Sequence, residues 1–584
     1  MTLEPGGNGP SSTSTANCGL AIHLLFLNVM KIPTLLALCA WTGICSAAEP
    51  TPNPEAARYV DAVRRFADAA IQKGRDTYGP RKTPLFVDGL QVTTLEPVRW
   101  KKGGQTWVLC NFANQQALMR TLDGLTTLTG DANYRRAAED AARYALQHLR
   151  SRNGMLYWGG HIAWDLDQDR AVGEYADVHE MKSHQPYFPL LWRVDAKAAK
   201  QVAESVWGGH VLDWTLLDYN RHARTENPAP VKWDAPFVEN TPVPFPSVAN
   251  NLSFALVTPS LVDAGVALAV LDKNTNALVW TRRLLYRWQQ ARDSKTGLSG
   301  GQLSYRKDDR AKDALGHVHP DINEAKIIAT YHRTTRYHHL PLAEMQAAEQ
   351  LLPVGGDYTQ VGRDCIRWAS EDLKTYGRYC WNAKHQQFTS LLTDGTPIQW
   401  REARPGYYDS GSFAPAKPDG FIVWAYALAF RLTQDPAHWT MARQLAAAVG
   451  LGEIGETPKG QRQFAAMITS TDWRLVYALL ELNRATGDKG FLRPAGAIAD
   501  NCLKAQTQTG LFPRPGRSYA RTGDQAPLAI LHLAAALLGR EAALPQAVLD
   551  NAFFHCEYDG APGLMKPGID DKRTYDNNVF YGEK

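Results

Sequence analysis

Cysteine is scarce in this chain: there are eight in 584 residues, and three of them, Cys18, Cys39 and Cys45, fall near the N-terminus. The other five, Cys110, Cys365, Cys380, Cys502 and Cys556, are odd in number and never in CxxC spacing, which argues against a disulfide framework and a zinc ribbon. Cys365 with Cys380 is the pair that an oxidising compartment could bridge; most of the cysteines read as small buried apolar residues. A charge excess is missing as well. Lysine and arginine exceed aspartate and glutamate by only 63 to 59, so the balance of +4 gives no support to nucleic-acid binding. What remains is the composition of a globular protein, 44% hydrophobic and 21% charged, with no sign of disorder beyond the N-terminus.

The N-terminus reads as a leader. Met30-Lys31 gives a short positive start, Leu35-Leu36-Ala37-Leu38-Cys39-Ala40-Trp41 an apolar run, and Ser46-Ala47-Ala48 small residues for cleavage ahead of Glu49. The expectation is an N-terminal extension and signal peptide over residues 1–48, with Met30 as the true start, and one catalytic domain over 49–584. Location is then periplasmic or secreted. No stable membrane span is expected after signal removal, since Lys31 and Pro33 interrupt the one stretch, from Leu20 onward, that could anchor.

Helical periodicity dominates the body and recurs as a unit. Leu128-Thr129-Gly130-Asp131 opens a stretch through Tyr134, Ala138, Ala141, Ala145 and Leu149 that stops at Asn153-Gly154 before Leu156-Tyr157-Trp158. Ala485-Thr486-Gly487-Asp488 opens another that stops at Thr509-Gly510, Leu271-Asp272 a third that stops at Thr296-Gly297, and Leu432-Thr433-Gln434-Asp435 a looser fourth. Polar turn, amphipathic helix and glycine stop form the rhythm of paired helices. Long irregular insertions between units favour a closed (α/α) toroid over a regular solenoid. The largest insertion follows Arg224 and carries six prolines from Pro228 to Pro246 around Trp233, Phe237 and Phe245, which predicts a packed wall and not a linker.

Three stretches carry the chemistry: Gly159-Gly160-His161, His179-Glu180-Met181-Lys182-Ser183-His184, and Asn220-Arg221-His222. Two imidazoles and a carboxylate can hold a divalent metal while leaving positions open for a substrate. His179 and His184 are five apart, which excludes the HExxH arrangement of zinc proteases. Glu180 and His184 would share a face if their segment were helical. Two imidazoles with one carboxylate suit manganese, cobalt, nickel or zinc better than calcium, which takes six to eight oxygens. Arg221, beside such a metal, would face an anionic substrate.

This pattern of a loop histidine, a following glutamate and then an Arg-His pair resembles polysaccharide lyase family 2, the pectate lyases with an (α/α)7 toroid. The resemblance is concentrated in residues 155–225. It implies metal ligation by His161, Glu180 and His222, with manganese as the expected metal and His184 as the alternative ligand. It implies Arg221 as the base that takes the C5 proton of a uronate, and polygalacturonate or oligogalacturonides as substrate, cut by β-elimination from the chain end. Arg221 as a carboxylate binder stays open. Lys182, His184, Asp213, Arg401 and Tyr408 are candidate substrate contacts, the last two in a loop that also holds Arg404 and Tyr407. The protein is expected to act as a monomer.

Two readings compete. One is a hydrolase of uronic-acid oligosaccharides using paired carboxylates such as Asp165 and Asp167 with Asp213 or Asp218. The other is a non-catalytic helical repeat that binds anionic glycans. Gly316-His317-Val318-His319 offers a second, weaker place for a metal, and His338-His339 reads as surface.

Overall fold

The computed structural model describes residues 53–102, 105–173, 175–181, 185–248, 252–330, 337–403, 408–515, 517–549, 554 and 557–558. The predicted leader, Lys182, His184, Arg404, Tyr407 and Cys556 lie outside the described residues. Among the described residues helices dominate: α1 (Pro54–Lys73), α2 (Gln116–Thr129), α3 (Ala132–His148), α4 (Phe188–His210), α5 (Thr258–Leu271), α6 (Thr275–Gln290), the short α7 (Ala311–Leu315), α8 (His339–Leu351), α9 (Gly356–Cys380), α10 (Gly420–Thr433), α11 (Pro436–Ala448), α12 (Arg474–Thr486), α13 (Leu492–Lys504) and α14 (Ala526–Leu537).

The repeated phrase of the sequence is a hinge between two such helices. At each occurrence one helix ends, one residue takes the left-handed conformation, and an Asp or Asn caps the next helix. The left-handed residues are Gly130 (φ +78°), Lys273 (φ +59°), Gln434 (φ +56°) and Gly487 (φ +72°). The caps are Asp131, Asn274, Asp435 and Asp488, whose side chains accept from amides two or three residues on. A threonine before three of these hinges accepts the cap residue's own amide, which ties the turn from both sides.

Burial separates the two partners of each pair. α5, α10 and α14 are apolar around nearly their whole circumference, as sequences such as Phe421-Ile422-Val423-Trp424 require. α3, α9 and α13 are amphipathic and bury one face. α4 breaks at Asp195 (φ −156°, ψ 94°), whose side chain caps the second limb by accepting from the Ala198 amide at 2.9 Å. Among the described residues the inner helices α4, α5, α8, α10, α12 and α14 each touch the next, and α14 returns to α2; with the limbs of α4 counted separately, its first limb stands beside α2, where Arg193 reaches Asp123. The α2 to α4 step is made where Arg120 donates to the carbonyls of Gln185 and Pro186 and the Tyr187 amide donates to Gln116. Outside them α1, α3, the second limb of α4, α6, α9, α11 and α13 each pack against at least one inner neighbour. Seven helical pairs thus close a ring, the (α/α)7 toroid expected from the sequence.

Three expectations need correction or refinement. Cys365 and Cys380 lie on the same helix, α9, about 22 Å apart along its axis, far beyond disulfide reach; both are buried free thiols, as are Cys110 and Cys502. His338 and His339 are not on the surface: they are 7% and 1% exposed at the start of inner helix α8, where His339 meets the Phe421 ring edge-on. The proline-rich insertion is packed, and it packs on the outer ring. Trp233 nests among Trp207 of α4 and Trp214, while Arg287 of α6 donates to the carbonyls of Thr215, Leu216, Val238 and Glu239 and lies over the Phe237 ring.

Candidate metal centre and active site

The three chemistry-bearing stretches meet at the end of the ring where the inner helices begin. Strand Val178–Glu180 pairs antiparallel with strand His222–Arg224, with Glu180 opposite His222. Because facing residues of an antiparallel pair present their side chains to the same side, this register alone brings the carboxylate to the imidazole. The Met181 amide extends the pairing by donating to the Arg221 carbonyl at 2.9 Å. On the other edge Gly159 forms a parallel bridge with Glu180 and the Gly160 amide donates to the Glu180 carbonyl at 3.3 Å. This approach requires glycine: residue 159 has φ +113°, and a Cβ there would stand 2.5 Å from the Glu180 oxygen. Asn111 fixes the same loop, accepting from the Gly159 amide and donating to its carbonyl.

Three ligand atoms converge as a result. His161 Nε2 is 3.3 Å from His222 Nε2 and 3.4 Å from Glu180 Oε2, and His222 Nε2 is 3.3 Å from Glu180 Oε1. These distances run to both Glu180 oxygens; with one atom taken from each residue, the three ligand atoms lie within 4.8 Å of one another, around a point where a divalent cation could be held. Among the described residues this is the one cluster of three or more His, Cys, Asp or Glu side chains with that capacity. The Gly316–His319 stretch does not join it. Glu180 is fully buried and His161 is 7% exposed, while the His222 side chain keeps 29% of its surface, so the site opens on the His222 side.

Arg221 lies at that opening. Its Nε donates to His222 Nε2 at 3.2 Å and stands 3.1 Å from Glu180 Oε1, and the guanidinium lies over the Phe254 ring at 5.6 Å. A cavity of about 340 Å³ beside it is lined by His161, Tyr175, Asn220, His222 and Arg224. A larger one, about 710 Å³, occupies the mouth of the ring among the N-terminal ends of α8, α10, α12 and α14, with His339, Phe421, Trp473, Arg514 and Arg521 in its walls. Arg521 pairs with Gly89 across a two-stranded sheet, and Asp88 next to it accepts from Asn111, the residue that holds Gly159. The two openings therefore share one loop framework.

The remaining sequence candidates have structural partners. Asp213 turns the hairpin between Val211–Asp213 and Asp218–Tyr219, accepting from the Thr215 amide and hydroxyl. Arg401 is exposed, with its amide donating to the Ala314 carbonyl. Tyr408 is 4% exposed; its hydroxyl accepts from Gln302 at 3.1 Å and its ring packs on Phe413. The carboxylates of the hydrolase reading have structural partners as well, Asp167 in an ion pair with Arg99 at 2.9 Å. Asp165 accepts from the Val108 and Asp167 amides, and Asp218 from Ser247, Val248 and Ser253. Burial pushes the carboxyls of Asp165 and Asp218 above the ordinary range against those hydrogen bonds.

One layer of the site was given no role from the sequence, although His179 and Asn220 fall within the chemistry-bearing stretches. Trp158, His179, His210 and Asn220 form a buried hydrogen-bonded line behind the ligands. His210, the last residue of α4, carries no signal that separates it from a helix-terminal histidine.

Comparison with known proteins gives the family. The family model described as "Periplasmic pectate lyase" matches residues 83–557. A pectate disaccharide-lyase from Dickeya dadantii (strain 3937) is 24% identical over 557 residues, covering 90% of this chain and 96% of the relative. Among solved structures, a family 76 glycoside hydrolase from a bovine Bacteroides thetaiotaomicron strain aligns at 11% identity and TM-score 0.37 over 82% of this chain and 78% of that chain. A cellobiose 2-epimerase from Spirochaeta thermophila DSM 6192 aligns at 12% identity and TM-score 0.39 over 75% of this chain and 99% of that chain. These two likenesses are too low to bear on the fold, which rests on the ring contacts above.

Proposed function

The chain belongs to the periplasmic pectate lyase family and is a polysaccharide lyase, and from that premise we propose that it cleaves α-1,4-linked polygalacturonate by β-elimination at the His161, Glu180, Arg221 and His222 site, releasing 4,5-unsaturated oligogalacturonides from the chain end. The observation that carries this reading is the convergence of two imidazoles and a buried carboxylate at 3.3 to 3.4 Å with a guanidinium against the same carboxylate.

The chemistry asks for both halves of that arrangement. The C5 proton of a uronate is a poor acid because the adjacent carboxylate is already negative, and removing it builds further charge on the same group. A divalent cation held by His161, Glu180 and His222 would withdraw that charge and, sharing Glu180 with Arg221, would weigh against the protonated guanidinium. Arg221 then takes the C5 proton from the open side of the site while the C4 oxygen leaves, without water entering the bond. An unperturbed arginine stays protonated, with a pKa above about 12. The assignment therefore depends on the cation's proximity.

Absorbance near 235 nm that grows on addition of polygalacturonate tests the reaction, since elimination alone makes the conjugated double bond. Reducing ends without absorbance would point to hydrolysis, and neither signal to a binding module. Chelated enzyme should regain activity with manganese, cobalt or nickel more fully than with calcium, because two of the three ligands are nitrogen. Rescue by calcium alone would overturn the ligand assignment. An early product that is a single short oligomer, with little loss of polymer viscosity, marks cutting from the end.

A further inference from the structure

The line of groups behind the ligands has a direction that donor chemistry sets. An indole N–H can only donate, so Trp158 Nε1 donates to His179 Nε2 at 2.7 Å, which places the proton of that ring on Nδ1. His179 Nδ1 therefore donates to His210 Nε2 at 2.9 Å, and His210 in turn carries its proton on Nδ1, donating to the Asn220 carbonyl at 2.7 Å. All four residues are at most 8% exposed. Three of them lie beside a ligand-bearing segment: Trp158 just before Gly159-Gly160-His161, His179 directly before Glu180, and Asn220 directly before Arg221-His222. The Asn220 end is held doubly, because its amide also donates to the His210 carbonyl at 2.9 Å, and its own side chain accepts from the His222 amide at 3.2 Å.

We infer that His179 and His210 are positioning residues for the metal centre: one hydrogen-bonded line runs under all three ligand segments and fixes the distances among His161, Glu180 and His222, and with them the aim of Arg221. His210 is the joint that couples the end of α4 to the segment carrying the base. The role rests on the proposed ligation and is separable from the proposed reaction, because it acts on the metal site itself. Direct hydrogen-bonded partners of metal ligands typically control affinity or activity by about 10- to 100-fold, and this line acts through the segments that carry the ligands, so that range is its upper bound.

The test uses His210→Leu, which keeps bulk and removes both hydrogen bonds, and His210→Asn, whose amide N–H stands where Nδ1 stood and can still reach the Asn220 carbonyl. Manganese affinity of the chelated full-length protein is read by electron paramagnetic resonance, and kcat and KM on polygalacturonate by the 235 nm absorbance. The Leu variant is expected to bind manganese more weakly, by more than about threefold and at most about 10- to 100-fold, and to lose kcat to a similar degree with KM within about twofold, and the Asn variant to recover most of both. A purely structural role would lower the melting temperature of both variants and leave affinity and kcat per folded molecule unchanged. Affinity within about threefold of wild type in a folded Leu variant, or equal impairment of Leu and Asn, overturns the inference. If the Leu variant fails to fold, Trp158→Phe removes the first donor with little change in volume, and unchanged manganese affinity there overturns it equally. A wild-type protein that makes no 235 nm product would defeat the lyase reading, while the manganese affinities would still decide the positioning role.

Discussion

Replacing Gly159 by alanine should disable the metal centre without touching a ligand. The added Cβ would stand 2.5 Å from the Glu180 carbonyl oxygen, where ordinary contact begins near 3.4 Å, so the Gly159 strand and the Glu180 strand must part by about 0.9 Å. His161 follows two residues later on the first strand and Glu180 is on the second, so that displacement falls on a spacing that is now 3.4 Å. Metal sites tolerate ligand distances to about 0.2 Å, and a misplacement of about 1 Å at a reacting centre costs on the order of 100-fold. Gly159→Ala is therefore expected to weaken manganese binding and lower kcat by roughly that factor. The backbone itself also resists, since φ +113° is foreign to L side chains. Gly130→Ala separates the two effects. Residue 130 is left-handed as well (φ +78°), but a Cβ there meets nothing within 4 Å, so that variant should lose about 1 to 2 kcal/mol of stability and keep its metal affinity. Thermal melts, manganese titration and the 235 nm assay on both proteins form the experiment. Gly159→Ala with wild-type manganese affinity, and a melt shifted no more than that of Gly130→Ala, would refute the reasoning.

Arg221→Ala should lower kcat by about 10²- to 10⁴-fold, the range for a lost general base, while manganese still binds; turnover within a few-fold of wild type would remove Arg221 from the base role. His438, buried against Ser370 with its pKa pushed down to about 4, should make the protein acid-sensitive. Its folded pKa is below the unfolded value of about 6.5, so the unfolded chain binds more protons between these limits and stability falls as pH drops from 6.5 to 4, by about 3 kcal/mol in all. His438→Gln should flatten that stretch of a denaturation-against-pH curve, and an unchanged curve would count against it. Arg287→Leu takes the side-chain donor from the Leu216 carbonyl and one of two donors from Thr215, Val238 and Glu239; chemical denaturation should show a loss of about 2 to 3 kcal/mol, and a loss under 1 kcal/mol would mean the insertion is held by its aromatic contacts alone.

What the sequence disclosed and what it hid follow from how local the chemistry is. The hinges were legible because Thr129, Gly130 and Asp131 and their counterparts act on amides two or three residues away, and such contacts depend on nothing distant. His161, Glu180, Arg221 and His222 were legible as types in a pattern. Their meeting was not, since it is made by strand register: Val178–Glu180 is a strand, with Glu180 opposite His222. His210 was illegible, as its partners come from segments far along the chain. Cys365 and Cys380 looked like a pair only until their placement on one helix set them a whole helix length apart. Asp213 and Tyr408 had the right chemistry for sugar contact, yet turn formation and packing engage their polar atoms.

The closure of the ring sets an order on how this protein can come into being. α1 finds its partners at the other end of the chain: Arg58 pairs with Asp500 across 442 residues, and Asn53 donates to the Leu537 carbonyl. Until α13 and α14 exist, the apolar face of α1, with Tyr59, Val63, Phe66 and Ala70, has only part of its cover, from α2. Closing so long a loop is slow and late, so the first segment synthesised is among the last to be finished. A polypeptide stopped short of α14 would be an open arc with raw apolar flanks at both ends, and quality control would meet it as a sticky fragment and not as a smaller enzyme.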